Sequence, residues 1–142
     1  MPSIFWDTNL FIYLLEGRSR ELRDSALRAR ERMLEEGDQL VTSALSLGET
    51  MVQPLRAGNP TLARRYLELV SSGAIIVPLD QQAATRYAEI RARNPSVKPP
   101  DALQLACAAQ HGVAVFLTND RRLGRLRIRG IGQVAALRDW TA

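Results

Sequence analysis

The sequence predicts an α/β fold in three layers, with helices on both faces of a central parallel sheet of four to five strands. Three observations carry this. Short apolar runs (Ser3–Trp6, Leu40–Thr42, Ala74–Val77 and Val113–Leu117) alternate with helix-length segments, the pattern that right-handed crossovers turn into a parallel sheet. The runs are near-continuously apolar and bounded by polar or turn-forming residues, as strands buried on both faces are. Two of them end alike, in Asp7-Thr8-Asn9 and Thr118-Asn119-Asp120. In open α/β sheets ligands bind beyond the carboxyl ends of the strands, so both triplets stand where a site is expected.

The elements follow in order. After the first strand, Asn9–Glu16 is an apolar helix ended by Gly17. Arg18–Glu36 is a long polar helix stopped by Gly37, with one apolar stripe of Leu22, Ala26, Ala29 and Met33. Leu40–Thr42 is the second strand, and Ser43 caps a helix that starts at Ala44 and is ended or kinked by Pro54. On it Leu45, Glu49 and Val52 share one face, which puts a carboxylate on an apolar stripe, and Gly48 suggests close packing or access. Asn59-Pro60 opens a helix to about Ser71, with Leu62, Tyr66 and Leu69 inward. Ala74–Val77 is a buried third strand, and Asp80 caps a helix through Arg93 with Ala83, Tyr87 and Ile90 inward. A proline-containing loop, 94–100, leads into the helix Asp101–Gln110, then the fourth strand, then a fifth at about Val134–Leu137. That loop is too short to divide domains, so residues 1–142 are expected to form one.

Composition narrows the class. Hydrophobic residues make up 46% and charged residues 24%, ordinary for a globular protein. No apolar run approaches the roughly 20 residues that span a bilayer. No basic region followed by a long apolar stretch opens the chain, so no secretory signal is expected. Cys107 is the single cysteine, which excludes an internal disulfide or a cysteine metal cluster. A cytoplasmic protein without membrane contact is the expectation. The net charge of +4 is compatible with nucleic acid without demanding it, since an arginine-using genome gives the same balance.

Four acids then carry the chemistry: Asp7, Glu49, Asp101 and Asp120. Each has an ordinary structural role open to it. Asp7 suits a helix cap, Asp101 favours its helix N-terminus, and Asp120 suits a turn. Glu49 resists such a reading, because a buried carboxylate needs a partner and no inward cation stands near it in the sequence. If the four meet, repulsion raises their pKa values unless a cation is present. Carboxylates without histidine or cysteine suit hard ions, Mg²⁺ or Mn²⁺. Such ions polarise phosphoryl oxygens and lower the pKa of bound water, which implies phosphodiester hydrolysis. If the first and fourth strands are neighbours, Asp7 and Asp120 share an edge. Asp101 reaches that edge only if the preceding loop and extra helix carry the chain round.

With Asp7-Thr8-Asn9, Glu49, Pro100-Asp101-Ala102-Leu103-Gln104-Leu105-Ala106 and Thr118-Asn119-Asp120 placed, the chain resembles PIN-domain nucleases, and among them the VapC toxins of toxin–antitoxin pairs. The resemblance implies a PIN-like three-layer fold and Mg²⁺- or Mn²⁺-dependent endoribonuclease activity on RNA. It puts Asp7, Glu49, Asp101 and Asp120 in the catalytic, metal-holding positions. Thr8, Asn9 and Thr118 then orient carboxylates or water from behind. It implies a homodimer, silenced by a small VapB-like antitoxin whose C-terminal segment enters the active-site groove. Relatives often carry an aromatic residue three positions after the fourth acid, where this chain has Leu123. A non-catalytic PIN-like module that binds RNA or protein is the alternative. A phosphatase or receiver-type protein is weaker, since no Asp-x-Asp follows strand one and no paired acid precedes Asp7.

Beyond the acids, Arg121, Arg122, Arg125, Arg127 and Arg129 fall close together, and from Arg125 they alternate with Leu126 and Ile128. This reads either as a charged, solvated edge strand or as an RNA phosphate track beside the acids. Lys98, close before Asp101, is a further candidate phosphate contact. His111 is expected to meet the dipole of the helix it ends, and Cys107 and Trp6 to lie in the core. Trp140 suits an edge cover or dimer contact. Phe11, Ile12, Leu14 and Leu15 exceed one inward stripe, which suggests core plus interface.

Overall fold

Alternating side chains along the strands build two cores on opposite faces of one sheet. The computed structural model describes residues 2–141. Strands β1 (Ser3–Trp6), β2 (Gln39–Ser43), β3 (Ile75–Val77), β4 (Val115–Thr118) and β5 (Gln133–Ala136) are all parallel, in the order β3-β2-β1-β4-β5. The helices are α1 (Thr8–Glu16), α2 (Arg20–Glu36), α3 (Ala44–Arg56), α4 (Pro60–Gly73), α5 (Gln81–Arg93), α6 (Pro99–His111) and the short α7 (Leu137–Trp140). On one face Phe5, Val41, Phe116 and Val134 pack against α5 and α6. On the other Ile4, Trp6, Leu40, Leu117 and Ala135 pack against α1, α2 and α4. The period of two along each strand makes this division. Phe5 stacks on Phe116 with ring centroids 5.0 Å apart, and Trp6 is fully buried against Phe11.

Strand order reverses beside β1. The chain moves from β1 outward through β2 to β3, then returns to pair β4 on the other side of β1. The ends of β1 and β4 therefore flank a topological switch point, the place where such sheets bind ligands. The return is made by α5 and α6 as an antiparallel pair. Gln82 and Gln110 hydrogen-bond, and Asp80 bears electrostatically on Cys107, so the start of α5 lies against the end of α6. The extra helix thus carries the chain back, and α6 begins at the edge where the acids stand.

Several expectations are corrected. The inward face of α3 is Ser46, Thr50 and Pro54, and Val52 is 41% exposed. Ser46 donates to Gln104 and Thr50 to the Leu47 carbonyl, so both are satisfied when buried and apolar spacing misidentified the face. No neighbour would touch a Cβ on Gly48, so it marks no close packing. Pro54 is accommodated inside α3 and does not end it. β3 is the sheet's edge, with Ile75 exposed, and not a fully buried strand. Leu69 points outward from α4, and Ala63, Tyr66 and Val70 face the core. The Arg125–Arg129 stretch follows a 3-10 turn (Leu123–Arg125) and is not part of the sheet, though its arginines are exposed while Leu126 and Ile128 turn inward. Among the described residues no helix is long and apolar enough to cross a membrane.

Candidate active site

The end of β1 places Asp7 at the centre of the site. Its backbone N–H donates to the Leu117 carbonyl (3.0 Å), the last rung tying β1 to β4. Its Oδ1 accepts from the Thr8 N–H at 2.8 Å, so the expected capping role is real and coexists with exposure to the site. Its Oδ2 accepts from the Thr118 hydroxyl at 2.9 Å. Burial pushes the Asp7 carboxyl up to about 6; the Thr118 and Thr8 hydrogen bonds oppose this, and the charges of Asp101 and Glu49 add to it. Thr118 in turn accepts from the Asp120 N–H at 3.2 Å, linking the two strand-end triplets.

Glu49 is held by neutral donors. Its Oε1 accepts from the Thr8 hydroxyl and from Gln104 Nε2, both at 3.0 Å. Gln104 is buried and uses both ends of its amide. Its Oε1 accepts from Ser43 (2.6 Å) and Ser46 (2.9 Å), and its Nε2 donates to Glu49 and, at 3.3 Å, to the Thr8 oxygen. Ser43 also caps α3 by accepting from the Ser46 N–H at 2.9 Å. A carboxylate without a cation is tolerable here because hydroxyl and amide dipoles converge on it.

Asp101 sits half-buried in the first turn of α6 and Asp120 just beyond β4, and both line a cleft of about 150 Å³ with Ser96, Val97, Lys98 and Arg122. Burial raises the Asp101 carboxyl above its ordinary value, as do the charges of Asp120 and Glu49; Lys98 and Arg122 oppose this. Asp120 is moved the other way by Arg122, whose Nε and Nη2 donate to its two oxygens at 3.3 and 3.2 Å. The four acids therefore feel one another across a single edge of the sheet.

Their donor chemistry fits a hard divalent ion: all ligands are oxygens, and Asp7 and Asp101 are under-compensated carboxylates that a cation would relieve. They are not drawn together, however. Among the described residues no three Asp, Glu, His or Cys side chains are grouped closely enough to share one metal. Three of the acids are instead engaged by partners of their own: Thr118 on Asp7, Thr8 and Gln104 on Glu49, Arg122 on Asp120.

Thr8 and Thr118 are buried and bonded to the acids, as their expected supporting role requires. Asn9 is exposed on α1, and the asparagine that ties elements together near the site is Asn119, which donates to the Tyr13 hydroxyl at 3.1 Å. Lys98 and Arg122 lie beside the acids, whereas Arg121 is paired with Asp139 (3.8 Å) and Arg125 lines clefts on the far side of Gly124. Leu123 fills the position where relatives carry an aromatic residue and is buried in the core. His111 is exposed at the end of α6, and Cys107 is buried, its thiol pushed up to about 11 by burial. Trp140 packs against α2, its ring under the Arg32 guanidinium at 4.1 Å. Sequence reasoning missed Gln104 and Ser46 as site residues. The signal was spacing: Gln104 follows Asp101 by three and Ser46 precedes Glu49 by three, one helical face in each case.

Residues 4–128 match the family model described as the PIN domain. The chain is 33% identical over 120 residues to Ribonuclease VapC23 of Mycobacterium tuberculosis, covering 84% of this chain and 94% of that one. Among solved structures it is similar to VapBC2 from Rickettsia felis bound to a promoter DNA fragment, with a TM-score of 0.75, 16% identity, and 94% and 98% of the two chains covered. It is similar also to DNA-bound VapBC from Salmonella typhimurium, with a TM-score of 0.66, 25% identity, and 96% and 99% covered. The VapC20 toxin of Mycobacterium tuberculosis, which cleaves the sarcin–ricin loop, superposes with a TM-score of 0.61 at 19% identity, covering 80% and 86%. The five-stranded parallel sheet, the acids at its switch point and these matches agree: the chain belongs to the PIN-domain family, on its VapC branch.

Proposed function

We propose that the protein is a Mg²⁺- or Mn²⁺-dependent endoribonuclease acting as one PIN-like domain, the toxin of a toxin–antitoxin pair. The observation that carries this is the placing of Asp7, Glu49, Asp101 and Asp120 along one sheet edge within electrostatic reach, with the Asp7 and Asp101 carboxyls raised by burial and by the charge of neighbouring acids. Asp7 and Asp101 would hold the ion, with Glu49 and Asp120 completing the set directly or through water. When bound, the ion supplies a Lewis acid that polarises a phosphoryl oxygen and acidifies water. The chain's own residues hold this set in place. Thr118 and the Thr8 N–H fix both oxygens of Asp7, and Gln104 and Thr8 fix Glu49, so the negative charge is aimed before substrate arrives. Lys98 and Arg122, with Arg121 and Arg125 further along, supply positive charge for RNA phosphates.

Partners follow from the same reading. Neighbouring structures are toxin–antitoxin complexes, which supports a VapB-like antitoxin filling the acidic groove. Half-buried Leu14 and Leu15 on α1 and exposed Leu55 on adjoining α3 leave apolar surface suited to a homodimer. An RNA substrate and an antitoxin partner are consistent with work in the cytoplasm.

The test is cleavage of end-labelled single-stranded RNA by the wild type and by Asp7→Asn. Cleavage is expected with Mg²⁺ or Mn²⁺, to stop with a chelator, and to be lost in the folded variant. Full activity in Asp7→Asn, or cleavage indifferent to chelation, overturns the assignment.

A further inference from the structure

The arginines beyond the acids gather into a second feature of the surface. A cleft of about 880 Å³ runs along the outer side of β5, and Arg93 from the end of α5 joins Arg125, Arg127 and Arg129 around it. Among the described residues none of these four pairs with a carboxylate, whereas Arg121, Arg122, Arg32 and Arg138 all do. Four uncompensated guanidinium groups around one open cleft repel one another, a cost that an anionic ligand removes.

The array is also fixed in place. Ile128 is buried and Leu126 is packed against the same core, so the alternating arginines are turned outward. Gly130 has φ +95°, and a Cβ there would stand 2.8 Å from the Ala109 carbonyl oxygen on α6. At Gly132 a Cβ would stand 2.5 Å from the carbonyl oxygen of Ala114. The Gly132 N–H donates to the Val113 carbonyl (3.0 Å), and Arg86 donates to the Arg129 carbonyl (3.4 Å). The backbone that presents the arginines is seated directly on α6 and the entry to β4. Leu126 forms part of the wall of this cleft and of the cleft holding Asp101 and Asp120, so the two adjoin at that residue.

We propose that this cleft binds the phosphodiester backbone of single-stranded RNA, seating the stretch of substrate that flanks the cut. The inference rests on the ribonuclease reading and extends it to a second site. A phosphate in every nucleotide matches a row of unpaired, outward guanidinium groups, which grip phosphate oxygens two at a time. An acidic peptide would meet the charge too, but its carboxylates recur only where its sequence supplies an acid, whereas every nucleotide carries a phosphate.

The test uses Arg93→Gln/Arg127→Gln/Arg129→Gln, three exposed residues that pair with none of the four acids. Binding of a fluorescent single-stranded oligoribonucleotide is measured by anisotropy in an Asp7→Asn background across a salt series. The triple variant is expected to bind roughly tenfold or more weakly, with the slope of log K against log salt smaller by about 2, three contacts at about 0.7 each. The triple Arg→Lys variant restores most of the slope. In the otherwise wild-type enzyme KM rises and kcat stays. Unchanged affinity and slope overturn the proposal, as does unchanged RNA binding with lost affinity for polyglutamate, which would make the cleft a protein site. If the wild type cuts no RNA yet the triple variant loses binding as expected, the nuclease reading fails and this site stands.

Discussion

Gln104 decides how well the site is held, because one amide satisfies four groups at once. Its oxygen serves Ser43 and Ser46 and its nitrogen serves Thr8 and Glu49, so its loss leaves buried hydroxyls unmatched and frees the Glu49 carboxylate. Unsatisfied buried polar groups cost about 1–3 kcal/mol each. Gln104→Leu is expected to lower stability by about 2–3 kcal/mol, read by urea unfolding. In RNA cleavage kcat is expected to fall while KM changes little, since Gln104 positions an acid and does not bind RNA. Stability equal to the wild type would show that the network is not held as described. The same residue shows what sequence could reveal. Asp7 and Asp120 were legible because they end apolar strands, a signal independent of their partners. Glu49 was recognised as an inward acid, but on a stripe of Leu45 and Val52 that does not face the core. Its true neighbours are serine, threonine and glutamine, which carry no hydrophobic periodicity and become a buried face only when folded against one another.

At the scale of elements, two connections place the chemistry. The α5–α6 pair was partly legible: the cap at Asp80 is observed, and the prolines expected to precede the second helix form its first turn, so α6 starts at Pro99 and not at Asp101. The antiparallel packing that turns α6 toward the acids depends on contacts between helices and carries no local signal. Asp80 accepts from the Ala83 N–H at 2.9 Å, and Asp80→Ala is expected to cost about 1 kcal/mol of stability in thermal or urea unfolding. The segment leading to β5 was legible in its alternation and illegible in its place, since a period of two fits a sheet strand and a pinned loop equally. What decides is the approach of Gly132 to Ala114, too close for any side chain. Gly132→Ala forces that backbone apart and is expected to cost about 1–3 kcal/mol, seen as a lower Tm. An unchanged Tm would mean that this segment is not seated on β4.

Across the whole molecule, the fold sets a largely desolvated carboxylate at the end of its central strand, and this has a thermodynamic signature. The Asp7 carboxyl sits at about 6 in the folded chain against 3.8 for the free group. Below pH 4 it is protonated in both folded and unfolded states and contributes nothing. Between about pH 4 and 6 the unfolded chain releases a proton that the folded chain keeps, so stability falls as pH rises, and above 6 the loss is complete. A shift of that size corresponds to at most about 3 kcal/mol. Asp101, raised in the same direction, adds to the effect, while Asp120, partly exposed and lowered by Arg122, opposes it weakly. The expected outcome is a metal-free protein that melts lower at pH 7 than at pH 5, and an Asp7→Asn variant that is more stable than the wild type at pH 7 and changes less between the two. Mg²⁺ or Mn²⁺ is expected to raise the melting temperature of the wild type at pH 7 more than that of the variant, because the wild type has one more under-compensated carboxylate to neutralise. Calorimetric scans at the two pH values, with and without metal, read all of this. A variant that melts at or below the wild type at pH 7 without metal would mean that Asp7 is not strained by its burial, and the physical case for a cation at this edge of the sheet would lose its basis.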